Sequence, residues 1–251
     1  STSLLTFEDA TDTLPNATPD KSASASAIDI DTDGDIDLFV GGYKASNTLL
    51  RNDGSGQFTD GTEEAGFIEY NYRTVGSSWA DFDLDGDVDV YLANYGVPQG
   101  VADPSLLYEN DGTGVYAISD WELPKNAVEG HSFIGGWMDL NDDLYPELYV
   151  VNDFSWLFPN PLLWNQGDSF VEDNGDAGLR IKANCMGLGM GDINLDGVPD
   201  FMVPAWNRLD LLMSLNGEPL YYSAATVLGV NTNKNTQRQL GWASEMHDFD
   251  N

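Results

Sequence analysis

Residues 81–89 read DFDLDGDVD, and this stretch decides the fold because it recurs along the chain. Related nine-residue loops begin at Asp29 (DIDTDGDID), Asp139 (DLNDDLYPE) and Asp192 (DINLDGVPD), and Asp248 opens a fifth as DFDN. The five starts lie 52, 58, 53 and 56 residues apart. A period of this size indicates a repeat architecture, in which each unit packs against its neighbours.

A second motif lies between successive loops. It reads NTLLRNDGSGQFTD at 47–60, SLLYENDGTGVYAISD at 105–120 and PLLWNQGDSFVED at 161–173. Each copy has two strand-like runs joined by a Gly/Asn/Asp turn, which is the pattern of a β-hairpin. The Asp-rich loops have similar strand-like flanks, so each repeat contains two hairpins. Four-stranded units at this period predict an all-β fold, specifically a β-propeller of four-stranded blades.

We predict a single domain over 1–251, with repeats that start near residues 22, 74, 132, 185 and 241. Four repeats are complete. The N-terminal LLTFEDATDTLP aligns with the end of the hairpin motif, so we expect the chain to open in the last strand of a blade. This strand and the fifth repeat either close a five-blade ring or belong to a longer propeller.

The Asp-rich loops offer the oxygen ligands that Ca²⁺ prefers. We expect the side chains at loop positions 1, 3, 5 and 9 and the carbonyl of position 7 to bind one ion, so that the chain holds about four. Glycine at position 6 permits the sharp turn. The predicted ligands, with the carbonyl donor last in each loop, are Asp29, Asp31, Asp33, Asp37 and Asp35; Asp81, Asp83, Asp85, Asp89 and Asp87; Asp139, Asn141, Asp143, Glu147 and Tyr145; and Asp192, Asn194, Asp196, Asp200 and Val198.

Three alternatives to calcium loops are weaker. An EF-hand needs a bidentate Glu at position 12, where these loops have Val40, Leu92, Val150 and Val203. Zn²⁺ prefers Cys and His, of which the chain has one and two. Metal-free turns would leave five mutually repelling carboxylates in each of the first two loops. Leu144 replaces the glycine of the third loop, so we expect that turn to be made differently.

The charge balance restricts the partners. The chain has 42 acidic and 10 basic residues, a net charge of −32, which argues against binding to nucleic acid or to anionic membranes. It has no run of 18 or more apolar residues, so we expect no insertion into a membrane. The sequence begins at Ser1 without a visible signal peptide, as a processed or excised chain would. Loops of this kind suit millimolar extracellular calcium far better than the cytosol, so we expect a secreted or cell-surface protein.

The loop pattern D-x-[DN]-x-D-G-x-x-D and the segment LLRNDGSGQFTDGTEEAGF resemble the FG-GAP/VCBS repeats of integrin-α-type propellers. The second segment is similar to secreted bacterial VCBS proteins and to cartilage-acidic-protein-like chains. The resemblance covers nearly the whole chain. It implies calcium-binding β-propeller blades in secreted or surface proteins of adhesion, matrix or assembly, and it implies no reaction.

We therefore expect a structural or adhesion protein with a protein partner or self-association, and no enzyme. An unfinished blade at the end of the chain would offer strand edges to another copy, which extends the hypothesis to filaments or matrix. His131 and Cys185 are expected to be structural residues. The alternative function is a calcium-dependent, lectin-like propeller in which Trp156, Trp164 and Trp206 stack on sugars.

Overall fold

The computed structural model describes residues 6, 8–16, 18–67, 70–96, 103–154, 157–230, 241–242, 244 and 246. Within these ranges four antiparallel sheets have four strands each, and consecutive strands are neighbours in every sheet. Helix is confined, in the same ranges, to a 3-10 turn at Thr11–Thr13 and to α1 at Lys125–Val128. The prediction of an all-β fold built from four-stranded blades is confirmed.

The four blades take the strands in chain order. The bounds are β1 Ser22–Ile28, β2 Asp37–Gly42, β3 Thr48–Asn52 and β4 Phe58–Asp60; β5 Thr74–Ala80, β6 Asp89–Asn94, β7 Leu106–Asn110 and β8 Tyr116–Ile118; β9 Ser132–Met138, β10 Glu147–Asn152, β11 Leu162–Asn165 and β12 Phe170–Glu172; and β13 Gly189–Gly191, β14 Asp200–Ala205, β15 Arg208–Leu215 and β16 Glu218–Ser223.

Each Asp-rich loop connects the first and second strands of its blade. The ninth loop residue is the first residue of the second strand, and it pairs with the end of the first strand, as Ala80 does with Asp89 and Met138 with Glu147. The hairpin motif forms the third and fourth strands. All four loops therefore lie at the same end of their sheets.

The first strands of neighbouring blades approach each other closely. The hydroxyl oxygens of Ser26 and Ser77 are 2.8 Å apart, and Ser78 Oγ donates to the carbonyl oxygen of Gly135 at 2.6 Å. A Cβ atom at Gly76 would lie only 2.4 Å from the carbonyl oxygen of Phe133. Small residues are needed here because larger side chains would push the inner strands of the blades apart.

The hydrophobic core lies between blades, because successive residues of a strand face opposite sides of the sheet. Val90 and Leu92 pack towards the first blade with Phe39, whereas Tyr91 packs towards the third blade with Leu148. The same alternation carries the core on to the fourth blade. Burial of each large apolar side chain stabilises the fold by roughly 1.5–3 kcal/mol.

The fourth blade continues into the described part of the fifth repeat. Ser244 Oγ donates to the carbonyl oxygen of Met202 at 2.9 Å, and the ring of Trp242 lies 6.1 Å from that of Phe133. The predicted fifth loop at Asp248 lies outside the described residues, as does most of the predicted opening strand. Across the described ranges, no helix has the length and apolar character needed to span a membrane.

Candidate metal centres

The first two loops each bring three carboxylates together. Oxygen atoms of Asp29, Asp31 and Asp33 lie within 4.8 Å of one another, and so do oxygen atoms of Asp81, Asp83 and Asp89. Like charges at this separation repel strongly unless a cation or protons neutralise them. In each of these loops three of the predicted ligands therefore meet at one point.

All four loops are bent by the same hydrogen bonds. The amide of position 6 donates to the Oδ2 atom of position 1, at 3.1 Å from Gly34 to Asp29 and at 3.1 Å from Gly86 to Asp81. The amide of position 7 donates to the carboxylate of position 5 in every loop. The residues at position 7, whose carbonyl oxygens are the predicted calcium ligands, therefore lie directly after the bend; they are Asp35, Asp87, Tyr145 and Val198.

These bonds leave several carboxylate oxygens without a partner. Among the described residues, the Oδ1 atoms of Asp29, Asp31 and Asp81 are buried and accept no hydrogen bond. Buried polar atoms are normally paired, so an unpaired carboxylate oxygen is costly. In the first two loops these oxygens belong to the clustered residues. Such an oxygen can act as a ligand to a hard cation without giving up any existing bond.

The third loop makes its turn in the same way as the others. Leu144 has a φ of +79°, in the left-handed region that glycine occupies in the other loops, and its amide donates to Asp139 Oδ2 at 2.9 Å. The expectation that this turn is built differently is wrong. The bend is imposed by the hydrogen bond to Asp139, and the leucine side chain is left 72% exposed.

Asparagine at position 3 changes the third and fourth loops. Asn141 Nδ2 donates to Asp143 Oδ2 at 2.9 Å, and Asn194 Nδ2 donates to Asp196 Oδ2 at 3.0 Å. In the fourth loop Asp196 also accepts from Ser214 Oγ at 2.9 Å. The carboxylate at position 5 therefore accepts more hydrogen bonds in these two loops than in the first two.

The carboxylate at position 9 is buried at the start of the second strand. Asp89 is 1% exposed and accepts the amides of Phe82 at 3.2 Å and Asn110 at 2.9 Å. Burial raises the pKa of Asp89 to about 7, although these hydrogen bonds oppose the shift. Burial also raises the pKa of Glu147 to about 7, and its Oε1 atom has no partner. Asp37 and Asp200 accept the corresponding amides of the loop and of the third strand in their own blades.

Sequence reasoning missed the asparagines that end the third strands. Asn110 Nδ2 donates to the carbonyl oxygen of Ile30 in the loop of the preceding blade at 3.0 Å, and Asn165 Nδ2 donates to that of Phe82 at 2.7 Å. These bonds tie the first and second loops to the third strand of the following blade. The signal was present in the recurring asparagine after each apolar run, which the turn pattern alone explained equally well.

The FG-GAP-like repeat profile matches residues 29–92. This protein contains an FG-GAP-like repeat. The matched segment holds both three-carboxylate clusters and therefore the first two candidate metal centres. No curated protein matches the chain at a significant level.

Two solved structures are similar to the chain that carries the FG-GAP-like repeat. A lectin of Agrocybe aegerita, described as recognising non-reducing terminal N-acetylglucosamine, has 17% identity and a TM-score of 0.45, over 78% of this chain and 49% of the lectin. The Tc holotoxin pore of Photorhabdus luminescens has 18% identity and a TM-score of 0.34, over 83% of this chain and 9% of the toxin chain. The chain thus spans about half the length of the lectin.

An apolar cavity lies apart from the Asp-rich loops. It has a volume of about 640 Å³, and its lining includes Tyr43, Tyr95, Phe133 and Trp242. Tyr43 and Tyr95 follow the second strands, so this lining belongs to the end of the sheets opposite the loops. His131 and Cys185 are buried. Of the tryptophans considered for sugar stacking, Trp164 is half-buried, Trp206 is 43% exposed and Trp156 lies outside the described residues.

Proposed function

We propose that the chain is an extracellular calcium-binding structural protein of adhesion or matrix, in which Ca²⁺ ions stabilise the Asp-rich loops. The observation that carries the proposal is the pair of three-carboxylate clusters with buried, unpartnered oxygens. Calcium suits them because the predicted donors are oxygens alone and the loops are short and bent. The first and second loops carry the proposal most directly.

The loops also support a structural role for the ion. Each of the first two loops accepts a hydrogen bond from the following blade through a backbone carbonyl, at Ile30 and at Phe82. An ion that fixes the loop therefore fixes the junction between two blades. Extracellular calcium is concentrated enough to keep such sites filled, which is the reason for proposing a secreted or cell-surface location. No catalytic activity forms part of the proposal.

The experiment compares two substitutions in the second loop. Asp81→Asn removes a clustered ligand, whereas Asp87→Asn removes a charge from the same loop but keeps the backbone carbonyl that is predicted to bind. We expect calorimetric titration to show about four calcium ions in the wild-type chain, with one ion lost in Asp81→Asn and all retained in Asp87→Asn. Magnesium should bind more weakly because it demands a tighter octahedral shell.

Two results would contradict the proposal. One is a wild-type chain that binds no calcium at millimolar concentration. The other is an Asp81→Asn variant that retains every ion.

A further inference from the structure

The first and second loops have the same arrangement of acidic residues and glycine. They read DIDTDGDID and DFDLDGDVD, so acids stand at positions 1, 3, 5, 7 and 9 and glycine at position 6 in both. Their apolar and neutral residues differ only at positions 2, 4 and 8. A difference in ion binding between the two loops must therefore arise mainly from the side chains that surround them.

One surrounding position differs in charge. The residue that precedes the asparagine at the end of the third strand is Arg51 in the first blade and Glu109 in the second. The strand registers make Arg51 and Glu109 equivalent. The residue before Arg51, Leu50, pairs with Leu38, and the residue before Glu109, Tyr108, pairs with Val90. Leu38 and Val90 each directly follow the ninth residue of their loop.

Arg51 is built into the first loop. Its Nη1 atom forms an ion pair with Asp31 Oδ2, and its Nη2 atom donates to the carbonyl oxygen of Gly114 in the next blade at 2.8 Å. The side chains of Arg51 and Asp31 are 20% and 23% exposed. Gly114 has no room for a side chain, because a Cβ atom there would lie 2.7 Å from Arg51 Nη2 and 2.9 Å from Asp31 Cβ.

The second loop has no corresponding cation among the described residues. Glu109 accepts a hydrogen bond from Ser119 Oγ at 2.6 Å, and its negative charge adds to those acting on Asp83. Elsewhere in the described ranges, the ion pairs join residues that are not predicted ligands, such as Arg180 with Glu172 at 2.9 Å and Arg73 with Asp103 at 2.6 Å. Arg51 is thus the one described base that pairs with a loop ligand.

We propose that Arg51 acts as a resident positive charge that makes the first loop bind calcium more weakly than the second, so that the two sites fill at different calcium concentrations. This inference rests on the proposed calcium binding. A guanidinium that already neutralises Asp31 lowers the attraction of the cluster for a divalent cation and repels that cation directly. Glu109 has the opposite effect on the second loop.

Arg51 also preserves the first junction when calcium is low. Because one guanidinium contacts both the loop and the carbonyl of Gly114, the first and second blades stay joined through Arg51 without an ion. Among the described residues, no guanidinium joins the second loop to the third blade in this way. Falling calcium should therefore loosen the second loop's junction while the first one holds.

The test is a calorimetric calcium titration of Arg51→Gln and Arg51→Lys beside the wild-type chain, with Arg180→Gln as the control for loss of an ion pair away from the loops. We expect Arg51→Gln to increase the calcium affinity of the first loop, the weaker of the two sites, by about tenfold. Arg51→Lys keeps the charge and should leave that site weak, and Arg180→Gln should change neither site.

Loop assignments come from Asp29→Asn and Asp81→Asn, which do not depend on the stability of the Arg51 variants. The binding phase lost in Asp29→Asn should be weaker than the phase lost in Asp81→Asn. Equal affinities in the wild type, loss of the tighter phase in Asp29→Asn, or an unchanged weak site in a folded Arg51→Gln would overturn the inference while leaving calcium binding intact. A wild-type chain that binds no calcium would overturn both.

Discussion

Leu144 holds a backbone conformation that suits glycine. Its φ of +79° turns Cβ towards the carbonyl group of the preceding residue, at a cost of roughly 1–2 kcal/mol, and its exposed side chain recovers little of this by packing. The turn survives because the Leu144 amide bonds to Asp139. A residue without a Cβ would make the same turn without strain.

We expect Leu144→Gly to raise the free energy of unfolding by about 0.5–1 kcal/mol, since the relief of strain exceeds the added flexibility of the unfolded chain. Chemical denaturation in the presence of calcium measures the change. The matched control is Leu220→Gly, another exposed leucine but in the extended strand β16, where the same substitution should destabilise. A destabilised Leu144→Gly would show that the left-handed leucine is not strained.

Under the proposed calcium binding, we expect the buried carboxylates at position 9 to make the calcium affinity depend on pH. Burial raises the pKa of Asp89 from 3.8 to about 7. Between these two pH values the ion-free folded protein keeps a proton on Asp89 that the unfolded chain has released. The ion-free fold therefore loses stability as the pH rises from about 4 to about 7. Calcium must displace this proton, so the affinity of the loop for calcium should increase as the pH rises.

We expect the second loop to bind calcium about tenfold more weakly at pH 6 than at pH 8, because the proton is bound at the lower pH and absent at the higher one. Titration calorimetry at the two pH values measures this, and Asp81→Asn identifies the second loop's contribution. An affinity that does not change between these pH values would contradict a proton-linked site.

The hairpin asparagines connect one blade to the loop of the blade before it. Asn110 is 6% exposed and donates both to Ile30 of the first blade and to Val88 of its own blade. Asn52 has the same place in the first blade, but its side chain donates to Ile36 of its own blade. A comparison of Asn110 with Asn52 therefore distinguishes the contribution of the hydrogen bond between blades from that of the hydrogen bond within a blade.

We expect Asn110→Ala to lower the free energy of unfolding by about 2–3 kcal/mol and Asn52→Ala by about 1 kcal/mol, because only the first leaves a buried carbonyl of another blade unpaired. Denaturant unfolding of both variants in calcium measures the difference. Equal losses would mean that the bond to Ile30 contributes nothing to the junction.

The strands and their order were predictable because their signals are local. An apolar run followed by NDG or NQG gives a hairpin, and the Asp-rich loop between two apolar runs gives the other hairpin of each blade. The roles of Arg51 and of the hairpin asparagines were not predicted, because they depend on contacts between blades. Arg51 and Gly114 are 63 residues apart, and Asn110 and Ile30 are 80 apart, so no local pattern connects them.

Across the whole molecule, the loops and the core depend on each other. The apolar core fills the junctions between blades, while the acid-rich loops all lie at one end of their sheets. Four doubly charged ions would change the net charge from −32 to about −24. Without them, repulsion within the loops opposes the packing of the blades beneath.

The number of Asp-rich loops was predictable from the period, but the differences between them were not. The four loops align well enough to assign equivalent ligands, yet the asparagines of the third and fourth loops partner the carboxylate at position 5 and Arg51 partners Asp31. The fifth loop at Asp248 lies outside the described residues, so its site remains a prediction.

Thermal unfolding of the wild-type chain in excess chelator and in millimolar calcium tests most directly whether bound ions hold the blades together. Ions that bind only the folded loops stabilise the fold through mass action, and we expect calcium to raise the melting temperature by at least about 5 °C. Magnesium at the same concentration should raise it less. A melting temperature that is the same in chelator and in calcium would contradict the account.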